Sequence, residues 1–145
     1  MSTQDKLRQF MQNKIQQQKA AGAAFMTTNL SQPGVKELEG GIQYLELKAG
    51  EGDSPVLSNT VTAHYKGSLL DGKEFDNSFK RGQPFSAPLT ALIKGWQIAI
   101  PKMKVGSHWR IWIPSDLAYG DRGAGSDIPG GATLIFEVEL LAISK

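Results

Sequence analysis

The sequence predicts an α+β fold: an antiparallel β-sheet wrapped around one short α-helix, preceded by a separate N-terminal α-helix. Three observations carry this expectation. Residues 3 to about 27 hold no proline and are dominated by glutamine, lysine and alanine, which form helices well. From Gly41 onward the pattern changes to β-prone runs separated by turn residues. One segment with helical spacing, Leu89 to Ile100, interrupts those runs. Many strands around one short helix suggest a sheet whose apolar face closes over that helix.

The first element starts at an N-cap, Ser2 or Thr3, with Asp5 in the first turn. Leu7, Phe10, Met11 and Ile15 recur at helical spacing, followed by Ala20, Ala21, Ala24 and Phe25, with Gly22 as an interruption. Asn29, Ser31, Pro33 and Gly34 end the helix. The chain therefore divides into residues 1–33, a helix and linker, and residues 34–145, a folded domain. Two uses of the apolar stripe stand side by side: packing on its own domain, or a seam between two copies of the chain.

Ile42, Tyr44, Leu45 and Leu47 form a β-prone run ending at Gly50. Val61 to Ser68 alternates as a strand, and Asp71-Gly72 is a hairpin turn before Glu74-Phe75. In the helical segment Leu92, Ile93, Trp96 and Ile100 share a face, and Pro101 ends it. His108 to Ile113 reads as a strand with Trp109, Ile111 and Ile113 on one side. Residues Pro114 to Gly131 form a loop with five glycines and two prolines. Thr133 to Ile143 is the last strand, with Leu134, Phe136, Val138 and Leu140 facing one way and Ile135, Glu137 and Glu139 the other.

Composition narrows the chemistry. With 145 residues the chain is about one domain, large enough to fold without a covalent staple. The absence of cysteine excludes disulfides, thiolate metal sites and cysteine nucleophiles. Sixteen basic and fourteen acidic residues give a net charge of +2 with interspersed signs, so no nucleic-acid partner is expected. No apolar run suits a leader or a bilayer, which gives a cytoplasmic expectation and no membrane partner. The stretch Gly67-Ser-Leu-Leu-Asp-Gly72-Lys73 approaches a phosphate-binding loop. However, Glu74 stands where a magnesium-binding hydroxyl belongs, and the turn leads to a strand. The two histidines, His64 and His108, lack partners at zinc-ligand spacing. No metal and no cofactor are expected, and an enzyme of this composition would work by shape and dryness more than by titrating groups.

One constellation remains. The segments VTAHYKGSLLDGKEFDNS from Val61, RGQPF from Arg81, LIKGW from Leu92, VGSHWRIWIPSDLAYG from Val105 and IPGGATLIFEVELL from Ile128 occur in register. From about Gly40 to the C-terminus the chain resembles the FKBP family of peptidyl-prolyl cis/trans isomerases. The stretch FMTTNLSQPGVKELEGGIQYLELKAGEG resembles the helix-to-domain junction of bacterial members of the macrophage infectivity potentiator type, although the helical part is shorter here than in those.

The resemblance implies a half-barrel sheet around a short helix, with a proline pocket between them. It implies Trp96 as the floor, Tyr65, Phe75 and Phe136 as walls, and Phe85, Leu92, Ile93 and Ile128 as further lining. The Tyr119 hydroxyl and the Ile93 backbone N–H would bind substrate carbonyls, and Asp76 would sit at the rim, held by Tyr65 and Arg81. Spacing alone favours reading Trp96, Phe75 and Phe136 as core rings, and Asp76 with Arg81 as a surface pair. The implied partners are proline-containing unfolded or partly folded polypeptides and tacrolimus- or rapamycin-type macrolides, with a homodimer through the N-terminal helix. Ala124 and Asp127 stand where many members carry a histidine and an isoleucine, which implies a more polar rim. A non-catalytic proline-peptide binding module and a dimeric chaperone are the competing readings.

Overall fold

A computed structural model describes residues 2–145. In chain order the elements are helix α1 (Thr3–Asn29), strands β1 (Lys36–Glu37), β2 (Gln43–Lys48), β3 (Thr60–Leu69) and β4 (Glu74–Asn77), and one-turn helix α2 (Ser78–Arg81). Strand β5 (Phe85–Pro88), helix α3 (Lys94–Ala99), and strands β6 (His108–Ile113) and β7 (Leu134–Ser144) complete the chain. All strands pair antiparallel in one sheet of order β1-β2-β6-β7-β3-β4, with β5 on the outer edge of β3. The expected α+β architecture is present.

The long central strands carry the core because their alternation is strict. Leu134, Phe136, Val138 and Leu140 of β7 are all at most 3% exposed. Beside them lie Ile111 and Ile113 of β6 and Val61 and Ala63 of β3, and Trp96, Ala99 and Ile100 press onto this face from the α3 side. Each large apolar side chain buried there contributes about 1.5–3 kcal/mol. Gly95 lets α3 approach closely, since a Cβ at that position would lie 2.5 Å from Ile113 Cγ2.

The helical segment differs from its expected form. Only Lys94–Ala99 is α-helical, flanked by 3₁₀ turns at Leu89–Ala91 and Ile100–Lys102. Leu92 and Ile93 therefore do not share a helical face with Trp96 and Ile100. They form an extended lead-in, with Ile93 at φ −60°, ψ 154°, held where the Gln97 side-chain amide donates to the Leu92 carbonyl at 2.8 Å.

Strand β3 has a break on its outer edge. Strand β5 pairs with residues 60–63 and β4 with residues 66–68. Between them the fully buried Ser78 fills the gap: its hydroxyl accepts from the Tyr65 N–H at 2.7 Å and contacts the Tyr65 carbonyl at 3.2 Å. A side-chain hydroxyl thus serves as the missing strand partner. The short elements β1, α2 and β5 were not expected from the sequence, being too short to show a period.

Helix α1 begins as expected, with the Ser2 hydroxyl accepting from the Asp5 N–H at 3.1 Å. It runs two residues beyond the expected end. Gly22 does not interrupt it; the residue is buried at a crossing where a Cβ would lie 2.2 Å from Thr133 Oγ1. The C-terminal half is tied to the domain through Gln43, whose amide donates to the Met26 carbonyl and whose oxygen accepts from Asn29 Nδ2, both at 2.8 Å. Toward its N-terminus the helix leaves Leu7, Phe10 and Met11 exposed.

Candidate functional site

Between α3, the sheet and the loop after β6 lies an open cleft of about 270 Å³. Its lining is Tyr65, Phe75, Asp76, Phe85, Leu92, Ile93, Trp96, Tyr119, Ile128 and Phe136. Every candidate drawn from the sequence except Arg81 is in that lining. Arg81 stands one step behind, its guanidinium paired with Asp76.

The rings are arranged edge to face. Trp96 lies at the bottom, 5% exposed, with Tyr65 at 5.1 Å and 83° and Phe136 at 5.1 Å and 87° between ring centroids and planes. Phe85 meets Tyr65 at 5.3 Å and Phe75 meets Phe136 at 5.8 Å, both nearly perpendicular. Such contacts are worth about 0.5–1.5 kcal/mol each beyond area burial. Trp96 and Phe136 therefore serve both expectations at once, since they belong to the core and also form the cleft. The close ring packing needs Gly67, where a Cβ would lie 2.5 Å from Phe75 Cζ and 2.9 Å from Phe136 Cε1. Neither Gly67, read from the sequence only as part of a near phosphate-binding loop, nor Ser78 was singled out for this role. Nothing local marks a strand glycine or a buried serine as support for a cleft.

Asp76 is the only carboxylate in the lining, and its oxygens are taken. One accepts from the Tyr65 hydroxyl, the other from Arg81 and, at 2.9 Å, from the Asn77 N–H. Burial pushes the Asp76 carboxyl up, but the Tyr65 and Arg81 hydrogen bonds outweigh it and hold the group below the ordinary carboxylate range. Burial, then the hydrogen bond to Asp76, pushes the Tyr65 phenol up to about 12. Tyr65 is thus locked as a neutral donor, and Asp76 is anchored rather than poised to move protons.

Three donors of the cleft are left over: the buried Trp96 indole N–H at its bottom and two at its rim. Tyr119 is 39% exposed on the loop after β6, and its hydroxyl bonds to no described residue. The Ile93 backbone N–H likewise has no acceptor among the described residues, while the Ile93 carbonyl accepts from Trp96 and Gln97. A dry aromatic floor with two free donors at its rim suits a small apolar ring flanked by peptide carbonyls. Among the described residues no group of three or more His, Asp or Glu could hold a metal ion.

Known proteins resemble this chain in sequence and fold. The family described as FKBP-type peptidyl-prolyl cis-trans isomerase matches residues 52–141, and the domain amino terminal to FKBP-type peptidyl-prolyl isomerase matches residues 1–45. The chain belongs to the FKBP-type isomerase family. It is 49% identical over 122 residues to peptidyl-prolyl cis-trans isomerase Mip of Coxiella burnetii, an alignment covering 84% of this chain and 53% of that protein. It is 44% identical over 130 residues to the FKBP-type 22 kDa isomerase of Escherichia coli, covering 90% of this chain and 63% of that one. The crystal structure of FkpA from Escherichia coli superposes with a TM-score of 0.88 at 36% identity, covering 99% of this chain and 74% of that one. A peptidyl-prolyl isomerase structure from Pseudomonas syringae gives 0.84 at 42% identity, covering 90% and 96%. The chain thus spans little more than half the length of several curated FKBP relatives. The cytoplasmic expectation gains no support from them, one being an outer membrane protein of Legionella longbeachae by name. No helix among the described residues is long and apolar enough to cross a membrane.

Proposed function

We propose that this chain is a peptidyl-prolyl cis/trans isomerase that turns Xaa-Pro bonds in proline-containing, unfolded or partly folded polypeptides. The observation that carries the reading is the aromatic cleft whose sole carboxylate is fully hydrogen-bonded while the Tyr119 hydroxyl and the Ile93 N–H stay free.

Peptide-bond rotation faces a barrier of about 18–20 kcal/mol because resonance stabilises the planar form. For Xaa-Pro the uncatalysed exchange takes tens to hundreds of seconds. A ~10⁵-fold acceleration needs roughly 7 kcal/mol off that barrier. No bond to a heavy atom breaks, so neither nucleophile nor general base is required. The planar amide is more polar than the twisted one, and water favours it. Tyr65, Phe75, Trp96 and Phe136 exclude water around the proline ring and remove that preference. Tyr119 and the Ile93 amide anchor the flanking carbonyls and hold the proline ring in that dry cleft, and the exclusion of water makes the site bind the rotated peptide better than the planar one.

The test is turnover of a proline tetrapeptide in a protease-coupled assay, with and without rapamycin. Acceleration that rapamycin suppresses supports both the isomerase and a macrolide-binding cleft. A rate equal to buffer alone removes the isomerase and leaves a docking module.

Residues 34–145 read as the isomerase domain and residues 1–33 as an arm. The exposed Leu7, Phe10 and Met11 favour an arm that pairs with a second copy of the chain. Light scattering of the Phe10→Glu variant beside the wild type checks this: a dimer falling to a monomer is expected, and equal masses reject the seam.

A further inference from the structure

The loop that carries Tyr119 and Ile128 is held from behind by helix α1. At its neck Gly131 N–H donates to the Gly120 carbonyl at 2.9 Å, and Gly120 N–H donates to the Ser115 carbonyl at 2.8 Å. Its tip closes on itself, Ala124 and Ile128 exchanging backbone bonds at 2.9 and 3.1 Å, with Gly123 N–H donating to the Tyr119 carbonyl at 3.1 Å. Those bonds shape the loop but do not fix its neck against the rest of the molecule.

Helix α1 meets the neck directly. Lys19 Nζ lies 2.6 Å from Asp121 Oδ1, two residues from Tyr119. One turn earlier, Ile15 covers the glycine pair at the other side of the neck. A Cβ on Gly131 would lie 2.6 Å from the Ile15 carbonyl oxygen, and one on Gly130 would lie 3.1 Å from Ile15 Cγ1. At Gly131 the helix backbone therefore comes close to the loop backbone, with the Ile15 and Lys19 side chains packed beside the glycine pair. Further along the same face, Gly22 against Thr133 and the Gln43 bonds pin the helix to the sheet.

We infer that α1 is a positioning element for the substrate cleft: Ile15 and Lys19 clamp the neck at Asp121 and Gly130–Gly131, so that Tyr119 and Ile128 stand opposite Trp96. The inference rests on the isomerase reading for what the loop does, and on the contacts alone for the clamp. Lys19 and Ile15 are positioning residues and touch no substrate. An exposed ion pair of this kind shifts a local equilibrium by up to about fivefold, so the clamp tunes occupancy of the competent loop. A ligand or partner that moved α1 would be felt at Tyr119 by the same contacts.

Charge reversal with restoration tests it, using the full chain. Lys19→Glu keeps a good helix former and opposes Asp121 and the nearby Asp116, which also acts on Lys19. Adding Asp121→Lys restores an opposite pair. Two quantities are read: hydrogen exchange of the amides of Gly123, Ala124 and Ile128, and KM against kcat for a proline peptide. Lys19→Glu is expected to speed exchange at those amides about three- to fivefold and to raise KM by a similar factor with kcat unchanged. The double variant should move both back toward wild type. Equal exchange in all three proteins overturns the clamp whatever the activity. Faster exchange with unchanged KM overturns the positioning role. A wild type without turnover rejects the isomerase instead, and the exchange pattern alone then decides the clamp.

Discussion

Removing one oxygen atom separates the two jobs assigned to the cleft. Tyr119→Phe deletes a hydroxyl that bonds to no described residue, on a ring that is 39% exposed. Folding loses nothing by it, and stability should stay within about 0.5 kcal/mol of wild type. Substrate binding loses one hydrogen bond to a peptide carbonyl, worth about 0.5–1.5 kcal/mol. At 1.36 kcal/mol per tenfold, kcat/KM should fall about two- to twelvefold. The carbonyl in question flanks the rotating bond and is not part of it. Its basicity changes little on rotation, so most of the loss should appear in KM.

The assay is exchange spectroscopy on a proline peptide at several concentrations, which separates KM from kcat, with a urea titration on the same protein. Wild-type kcat/KM at unchanged stability would remove Tyr119 from the site. A loss beyond about a hundredfold would refute the reasoning from the other side. It would mean the hydroxyl acts on the rotating amide itself, and an anchoring role is too weak for that.

Further outcomes follow from the same geometry. Gly67→Ala places a methyl against Phe75 and Phe136; it should cost about 1–3 kcal/mol in urea unfolding and weaken substrate or macrolide binding measured by calorimetry. Between about pH 5 and about pH 9, kcat/KM should be flat, because Asp76 is held below its ordinary range and Tyr65 is pushed up to about 12; a bell-shaped profile centred in that range would contradict anchoring. Stability carries the opposite ends. A depressed carboxyl stabilises the fold above its unfolded value and loses that contribution as pH falls through the folded one, so urea midpoints should drop below about pH 4 as Asp76 and Glu137 protonate. The raised Tyr65 phenol stabilises fully below its unfolded value near 10 and loses that contribution as pH climbs through about 12. Asp127, exposed beside Ile128, should favour Lys-Pro over Glu-Pro peptides by under about fivefold at low salt, the difference vanishing in high salt.

What could be read from the sequence was whatever repeats over several residues or sits in an ordered set of motifs. The alternation of β7, the strand at His108 and the hairpin at Asp71-Gly72 appear where they were expected. Ten residues of the cleft were named because aromatic residues on five separate segments fall in a known order. The parts that escaped are the irregular ones, and they are what make a cleft out of a core. A continuous β3 edge would have left no room for α2 and no reason to bury Ser78. It is the break between β5 and β4 that lets Asn77 and Ser78 turn the chain and bring Arg81 onto Asp76. A helix starting at Leu89, as the sequence suggested, would have carried Leu92 and Ile93 and spent the Ile93 N–H on the Leu89 carbonyl. Because the helix starts at Lys94, that donor stays free above Trp96. Gly22 looked like a break because glycine disfavours helices. Its missing side chain instead admits Thr133 and lets α1 lie on the domain. In each case the local preference is weak, and contacts distant in sequence decide the outcome.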